Sequence, residues 1–206
     1  MTAPKHLLAL LEKVQSVAQN GLRFSDSPYD RERYQGLLDT VVEYYKDITN
    51  IGTDIIKERL EEDLGYITPK VSVDGAVFSD DGKILLVQRK DNNKWCLPGG
   101  WCEVTDTAKE SLTREIFEET GLVVAPQSVV DVLTDFPGQN GRPHTSYHLV
   151  YYCKYVSGVF KESHETKNIG FYDYKQFKDF NESHLQMIES AYKYRDEFLL
   201  KLYRAP

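Results

Sequence analysis

The stretch GGWCEVTDTAKESLTREIFEETGL, residues 99–122, decides the fold of this chain of 206 residues. Thr105 and Thr107 are residue types that begin helices, and Gly121 is the type that ends one. Between them the sequence is typical of a helix, whereas the flanking segments alternate as strands do. The stretch therefore predicts one helix inserted between strands.

Negative charge is concentrated at the end of this predicted helix. Residues three and four positions apart are neighbours on a helix, so Glu115, Glu118 and Glu119 share one face within a single turn. Like charges at this spacing destabilise a helix by about 0.2–0.5 kcal/mol per pair, and Arg114 alone cannot neutralise three carboxylates. A solvated acidic face is one interpretation. The other is a site for Mg²⁺ or Mn²⁺, which prefer hard oxygen ligands.

The spacing of residues 99–122 resembles the signature of the Nudix family. That signature is a glycine, five residues, a glutamate, seven residues, Arg-Glu, an aliphatic residue, any residue, Glu-Glu, any residue, glycine and an aliphatic residue. The positions in register are Gly100, Arg114, Glu115, Ile116, Glu118, Glu119, Gly121 and Leu122. Asp106 departs from the pattern, because it stands one methylene short of the first glutamate. Its charge is kept, and its role as ligand or brace stays open.

The resemblance implies a metal site for these residues. Glu118 and Glu119 would be the main ligands, Glu115 a further ligand or the general base, and Arg114 the residue that orients a glutamate. The main-chain carbonyl of Gly99 or Gly100 would complete the set, since glycine lets a backbone approach a ligand closely.

The resemblance also implies a further carboxylate from a loop well after residue 122. Glu165, in SHETKNIGFY, occupies that place and is the candidate general base, with Glu162 and Glu115 as competitors and a solvated loop acid as the alternative. His164 beside it is a candidate contact to phosphate. Arg89, at the end of the predicted strand ILLVQR, is a candidate contact to phosphate or nucleotide.

The other histidines, His144 and His148, flank a predicted strand without an acidic or cysteine partner at ligand spacing. We expect them to serve packing or the surface, and a contact to substrate is the alternative. The three cysteines have no paired spacing, so we expect neither a disulfide framework nor a zinc site.

Two regions follow from the periodicity. Residues 1–64 predict three helices, the last from about Thr53 to Leu64, with apolar faces that need a partner in the chain or in a second subunit. After Pro69 the pattern predicts a hairpin of two strands, a later strand within 144–156, and a helix from about Asp173. We therefore expect an α+β protein with a helical domain, residues 1–66, and a Nudix-type mixed sheet between helices, residues 67–206.

Composition excludes several classes of protein. Net charge is −7, and residues 1–64 alone carry eight basic against twelve acidic residues, so no basic face for duplex DNA is expected. No apolar run approaches the roughly 20 residues that span a bilayer, which predicts no membrane segment and a cytoplasmic location. A nucleotide substrate remains compatible, because a bound cation reverses the local charge of a carboxylate site.

A helical region followed by such a domain resembles a bacterial subgroup of the Nudix family that acts on ADP-ribose or CDP-choline. The resemblance implies hydrolysis of CDP-choline to CMP and phosphocholine, and removal of nucleotides from single-stranded RNA 3′ ends. The apolar faces of the predicted helices in residues 1–64 favour a homodimer, in which these helices contribute to the interface. Hydrolysis of ADP-ribose or of altered nucleoside triphosphates is the alternative within enzymes. A nucleotide-sensing regulator without catalysis, or an interaction module with a vestigial catalytic domain, is the alternative of another class. A regulator predicts a decayed signature and a basic added domain, and this chain has neither.

Overall fold

The structure, a computed structural model, describes residues 5–49, 52–61, 67–138, 144–161, 163–180 and 182–204. The chain forms two compact units. The first comprises Met1–Lys70 with Phe136–Thr145, and the second comprises Val71–Asp135 with Ser146–Pro206.

The first unit is helical. Its helices are α1 (Lys5–Phe24), α2 (Pro28–Thr49) and α3 (Thr53–Glu61). They enclose a small core, formed by Leu11, Val41, Val42, Tyr45 and Ile56. Residues 62–66, to which the sequence extends the third helix, lie outside the described residues.

The second unit contains all the described strands and two further helices. In chain order these are β1 (Lys70–Val77), β2 (Ile84–Arg89), β3 (Trp95–Cys96), β4 (Gly99–Trp101), α4 (Ala108–Thr120), β5 (Leu122–Asp135), β6 (Ser146–Gly158), β7 (Thr166–Tyr172) and α5 (Glu182–Arg204). Four strands form one sheet in the order β4-β1-β6-β5, and three form another in the order β3-β2-β7. The α+β class predicted from the sequence, with a helical region before the sheets, is confirmed.

Two hydrophobic cores cover opposite sides of the strands. Alternate residues of a strand point to opposite faces, and β1 follows this rule, with Val73 and Val77 in one core and Ala76 in the other. Leu112 and Ile116 of α4 complete the first core, and α5 packs into the second. The helix of residues 99–122 is therefore fixed against the sheet by its apolar face.

Two predicted elements differ from the structure. The hairpin after residue 70 is reduced to its turn, where Phe78 forms one bridge with Ile84, because β1 and β2 then enter different sheets. The helix expected from about Asp173 begins at Glu182, since residues 174–176 form only a 3₁₀ turn capped by Asp173. Among the described helices, none has the length and apolar character that a bilayer crossing requires.

Candidate functional site

Helix α4 has strong signals at both ends. The Thr107 side chain accepts a hydrogen bond from Glu110 N–H, and the Glu110 side chain accepts one from Thr107 N–H, which is a reciprocal capping box. Gly121 ends the helix in the left-handed conformation, with φ of 77°, and its N–H donates to Phe117 C=O. These caps fix the register of the helix, so that its acidic residues keep one orientation toward β4.

Glu119 is the buried acid of the cluster, with an exposed fraction of 7%. Its Oε2 accepts a hydrogen bond of 2.9 Å from Gly99 N–H. The pKa of Glu119 is raised to about 8, mainly by burial and also by the negative charges of Glu115 and Glu165, while the Gly99 N–H and Arg89 act in the opposite direction. Carboxylates from α4 and from the loop before β7 are thus close enough to influence one another.

Arg114 links three acidic side chains. Its Nη1 lies 2.8 Å from Glu115 Oε1 and 3.6 Å from Glu118 Oε2, and its Nε lies 3.4 Å from Asp106 Oδ2. Its Nη2 is buried and has no hydrogen-bond partner among the described residues. The shorter acid at position 106 still reaches the arginine, so Asp106 is placed where it can brace Arg114.

Glu115 lies against Gly100 of β4. A Cβ atom at position 100 would stand only 2.5 Å from Cδ of Glu115, so the carboxylate occupies space that Gly100 leaves open. Burial raises the pKa of Glu115, and the contact with Arg114 opposes that rise. The glycine therefore serves a close approach between strand and helix.

The loop before β7 brings Glu165 to the same region. Lys90 N–H donates a hydrogen bond of 2.8 Å to Glu165 C=O, which fixes the loop backbone. The Glu165 side chain is about half exposed, and its Oε1 lies 3.2 Å from Nε2 of the exposed His164. Glu162, its competitor as general base, lies outside the described residues.

Arg89 extends from the end of β2 and is already paired. Its Nε and Nη2 lie 3.0 and 2.9 Å from the two carboxylate oxygens of Asp91, a two-pronged arrangement of the kind that arginine also offers to phosphate. This hydrogen bonding lowers the pKa of Asp91. Arg89 is close enough to Glu119 for each to shift the pKa of the other.

The donor set fits a hard divalent cation by its chemistry. The carboxylates of Glu115, Glu118 and Glu119 and the carbonyls of Gly99 or Gly100 are oxygen ligands, and a cation would relieve the buried charge of Glu119. Within the ranges that the structure describes, however, no three acidic, histidine or cysteine side chains are grouped so as to hold a metal ion. The carboxylates of Glu115 and Glu118 lie 2.8 and 3.6 Å from Arg114 Nη1.

A second polar cluster was not predicted from the sequence. His148 is buried, with Nδ1 2.6 Å from Ser72 Oγ and 3.3 Å from Asp74 Oδ2, and Nε2 3.2 Å from Asp135 Oδ2. His148 is buried, which agrees with the expected packing role, and the two carboxylates beside it, Asp74 and Asp135, come from other strands. Sequence spacing carries no signal for such a contact.

Comparison with known proteins extends over nearly the whole chain. Residues 68–191 match the model of the NUDIX domain, and residues 5–68 match the model of a UDP-X-like, N-terminal oligomerisation domain. Divalent cations are generally required by hydrolases of the NUDIX family.

Relatives and solved structures agree with these matches. The chain is 34% identical over 146 residues to the ADP-ribose pyrophosphatase of Methanocaldococcus jannaschii, covering 69% of this chain and 85% of that protein. It is 33% identical over 162 residues to YjhB of Bacillus subtilis, covering 78% and 77% of the two chains. A crystal structure of UDP-X diphosphatase superposes with a TM-score of 0.56 at 26% identity, over 90% of this chain and 93% of that one.

Proposed function

The chain belongs to the Nudix family and is a pyrophosphohydrolase of nucleoside diphosphate derivatives, and we propose that it hydrolyses CDP-choline to CMP and phosphocholine. The observation that carries the catalytic site is the convergence on buried Glu119 of two further carboxylates, Glu115 and Glu165, from segments about fifty residues apart. Such a concentration of anionic oxygen next to a pair of glycines suits a cation that is shared with a pyrophosphate.

The metal of the proposal is Mg²⁺ or Mn²⁺, held by Glu115, Glu118 and Glu119 with a carbonyl of Gly99 or Gly100. When bound, the cation would neutralise part of the pyrophosphate charge and lower the pKa of the attacking water. The protein positions the carboxylate ligands. Arg114 holds the Glu115 carboxylate, and the Gly99 N–H holds the Glu119 carboxylate.

Glu165 is the general base of the proposal. Its carboxylate is exposed enough to reach water, whereas the Glu115 carboxylate is engaged by Arg114. It takes the proton from the water that attacks the pyrophosphate. Arg89 binds a phosphate oxygen through its Nε and Nη2 groups, which donate to the Asp91 carboxylate in the free protein. His164, which is exposed, also contacts phosphate.

A pyrimidine nucleotide is favoured by the similarity to UDP-X diphosphatase, which covers 90% of the chain. The helical region matches a domain described as UDP-X-like, and the structure of UDP-X diphosphatase covers both regions of the chain. CDP-choline shares a pyrimidine nucleoside diphosphate with that class. ADP-ribose is the second candidate, since a relative at 34% identity is an ADP-ribose pyrophosphatase.

A substrate panel with identified products tests the proposal. Purified protein with Mg²⁺ or Mn²⁺ is given CDP-choline, a UDP-sugar, ADP-ribose, altered nucleoside triphosphates and a short single-stranded RNA, and the products are separated by mass. CMP and phosphocholine at the highest kcat/KM support the proposal. AMP and ribose phosphate at the highest kcat/KM would assign ADP-ribose instead. Shortening of the RNA from its 3′ end would add the predicted activity on RNA.

We further propose that the protein is a homodimer and that residues 1–66, ahead of a Nudix domain at 67–206, contribute the interface. The support is the oligomerisation domain matched at residues 5–68, together with apolar side chains left on the surface of that region. Leu10 and Val17 of α1 are seven residues apart and each more than half exposed. Residues at this spacing lie on one helix face, where a second copy would cover them.

A further inference from the structure

The loop that carries Glu165 is organised by the hydroxyl of Ser163. Ser163 Oγ accepts hydrogen bonds from Glu165 N–H at 3.2 Å and from Thr166 N–H at 3.1 Å, and it lies 2.8 Å from Thr166 Oγ1. A serine side chain that bonds to backbone two and three residues later fixes a compact turn. The backbone on both sides of the Glu165 side chain is therefore restrained.

Thr166 ties this turn to the catalytic helix. Its side chain is buried, with an exposed fraction of 2%, and its Oγ1 donates a hydrogen bond of 3.2 Å to Glu119 C=O. The last carbonyls of a helix have no partner within the helix, and this hydroxyl supplies one for α4.

The hydroxyls of Ser163 and Thr166 form hydrogen bonds whose direction follows from the number of hydrogens that each can donate. Each hydroxyl has a single hydrogen to donate. Because Thr166 gives its hydrogen to Glu119 C=O, Ser163 must donate to Thr166 Oγ1, and the oxygen of Ser163 remains free to accept from the two backbone N–H groups. The direction of the chain is thus fixed from Ser163 through Thr166 to Glu119.

Lys90 restrains the same turn from β2. Its N–H donates to Glu165 C=O and its Nζ to Ser163 C=O, both at 2.8 Å. Lys167 links β7 to the turn between β2 and β3, where its Nζ donates a hydrogen bond of 3.1 Å to Asn93 Oδ1. Lys167 is therefore a matched comparison for Lys90.

We propose that Thr166 is a positioning residue for the hydrolysis, because its hydroxyl holds the loop of Glu165 at a fixed place relative to Glu119. Lys90 supports this position through its hydrogen bonds to the carbonyls of Ser163 and Glu165. The inference rests on the proposed function, in which Glu165 is the general base and Glu119 a metal ligand. A base displaced by about 1 Å loses roughly 100-fold in rate, so a small movement of this loop is sufficient to matter.

The test compares Thr166→Val, which removes the hydroxyl at nearly constant shape, with Thr166→Ser, which keeps it. We expect Thr166→Val to lower kcat about 10-fold to 100-fold with KM changed less than about 2-fold, and Thr166→Ser to retain most of the kcat. Lys90→Met is expected to lower kcat several-fold, whereas Lys167→Met leaves it unchanged. Lys90 and Lys167 are both at the surface, so these variants report even where Thr166→Val folds poorly.

A double-mutant cycle with Glu165→Gln decides whether the effect passes through Glu165. If it does, Thr166→Val and Lys90→Met have little further effect on kcat in the Glu165→Gln protein. Full additivity, or equal kcat losses for Thr166→Val and Thr166→Ser, would overturn the inference. If Glu165→Gln itself keeps the wild-type kcat, the assignment of the base fails and the positioning role fails with it. If Glu165→Gln is impaired while Thr166→Val and Lys90→Met are not, only the positioning role fails.

Discussion

Glu119 Oε2 accepts a 2.9 Å hydrogen bond from Gly99 N–H, so the two ends of the stretch 99–122 meet in space. The bond joins the start of β4 to the last turn of α4. Because the carboxylate is buried, this donor satisfies a group that would otherwise be costly to bury. The Glu119 side chain thus fixes the start of β4 at Gly99 and is also a proposed metal ligand.

Replacement of Glu119 by Gln separates these two roles. Glutamine keeps an oxygen that can accept from Gly99 N–H but cannot carry negative charge, so we expect normal folding and a kcat at least about 100-fold lower. Stability without a cation should be unchanged or slightly raised near neutral pH, because glutamine is neutral and the folded protein no longer has to take up a proton at this buried position. Steady-state kinetics and thermal unfolding measure both effects.

Glu189→Gln is the control for this variant, since it removes one exposed charge from α5. It should leave both kcat and the melting temperature near the wild-type values. Wild-type turnover in Glu119→Gln would refute the assignment of the site.

The raised pKa of Glu119 predicts how stability depends on pH in the protein stripped of cations. Its folded pKa is about 8 against an ordinary value of 4.5, so between these values the folded state holds a proton that the unfolded state has released. The contribution of Glu119 to stability therefore falls as pH rises from about 5 to 8. The difference in melting temperature between wild type and Glu119→Gln should follow this trend, with about 2–4 °C for each kcal/mol.

Added Mg²⁺ should reverse the trend, since a cation binds the ionised carboxylate and must displace its proton. The gain in melting temperature on adding Mg²⁺ is therefore expected to be larger at pH 8 than at pH 6. Equal gains at the two pH values, or parallel curves for wild type and Glu119→Gln, would contradict the role given to this carboxylate.

The sequence predicts the helix of residues 108–120 well, because its signals are local. Thr107 and Gly121 act at the ends of the helix itself, and the acids share a face by helix periodicity alone. The hydrogen-bond and ion-pair partners of those acids are not predicted by the sequence. Asp106 was predicted only by its place in the signature, and its contact with Arg114 is visible only in the structure.

Contacts between distant segments are what the sequence does not predict. The bond between Thr166 and Glu119 joins residues 47 positions apart, and the carboxylates beside His148 come from two other strands. No local periodicity records such pairs, because strand order and register set them. The same reason explains why the expected hairpin of β1 and β2 is reduced to its turn.

The two glycines of β4 should respond differently to alanine. At Gly100 a Cβ would meet the carboxylate of Glu115, the mobile end of a side chain, so the carboxylate is pushed aside and kcat falls while stability changes little. At Gly99 a Cβ would stand 2.8 Å from Cα of Asp74, which is backbone and cannot yield cheaply. We expect Gly99→Ala to cost about 1–3 kcal/mol of stability or more.

Kinetics and urea unfolding of both variants check this contrast. If Gly100→Ala retains wild-type kcat, the Glu115 carboxylate has no required position. If Gly99→Ala is as stable as the wild type, the close approach of β4 to β1 is not a constraint.

A charge placed on the exposed face of α1 tests the proposed homodimer. Val17→Glu puts a carboxylate where the second copy would bury an apolar side chain, and burial of an unpaired charge is strongly unfavourable. We expect the dissociation constant of the dimer to rise at least 10-fold, which corresponds to about 1.4 kcal/mol, measured by sedimentation equilibrium. Val156→Glu, at a valine of β6 with nearly the same exposure, 56% against 52%, is the matched control and should remain dimeric. If Val17→Glu stays dimeric, or if both variants dissociate equally, the interface does not lie on this face of α1.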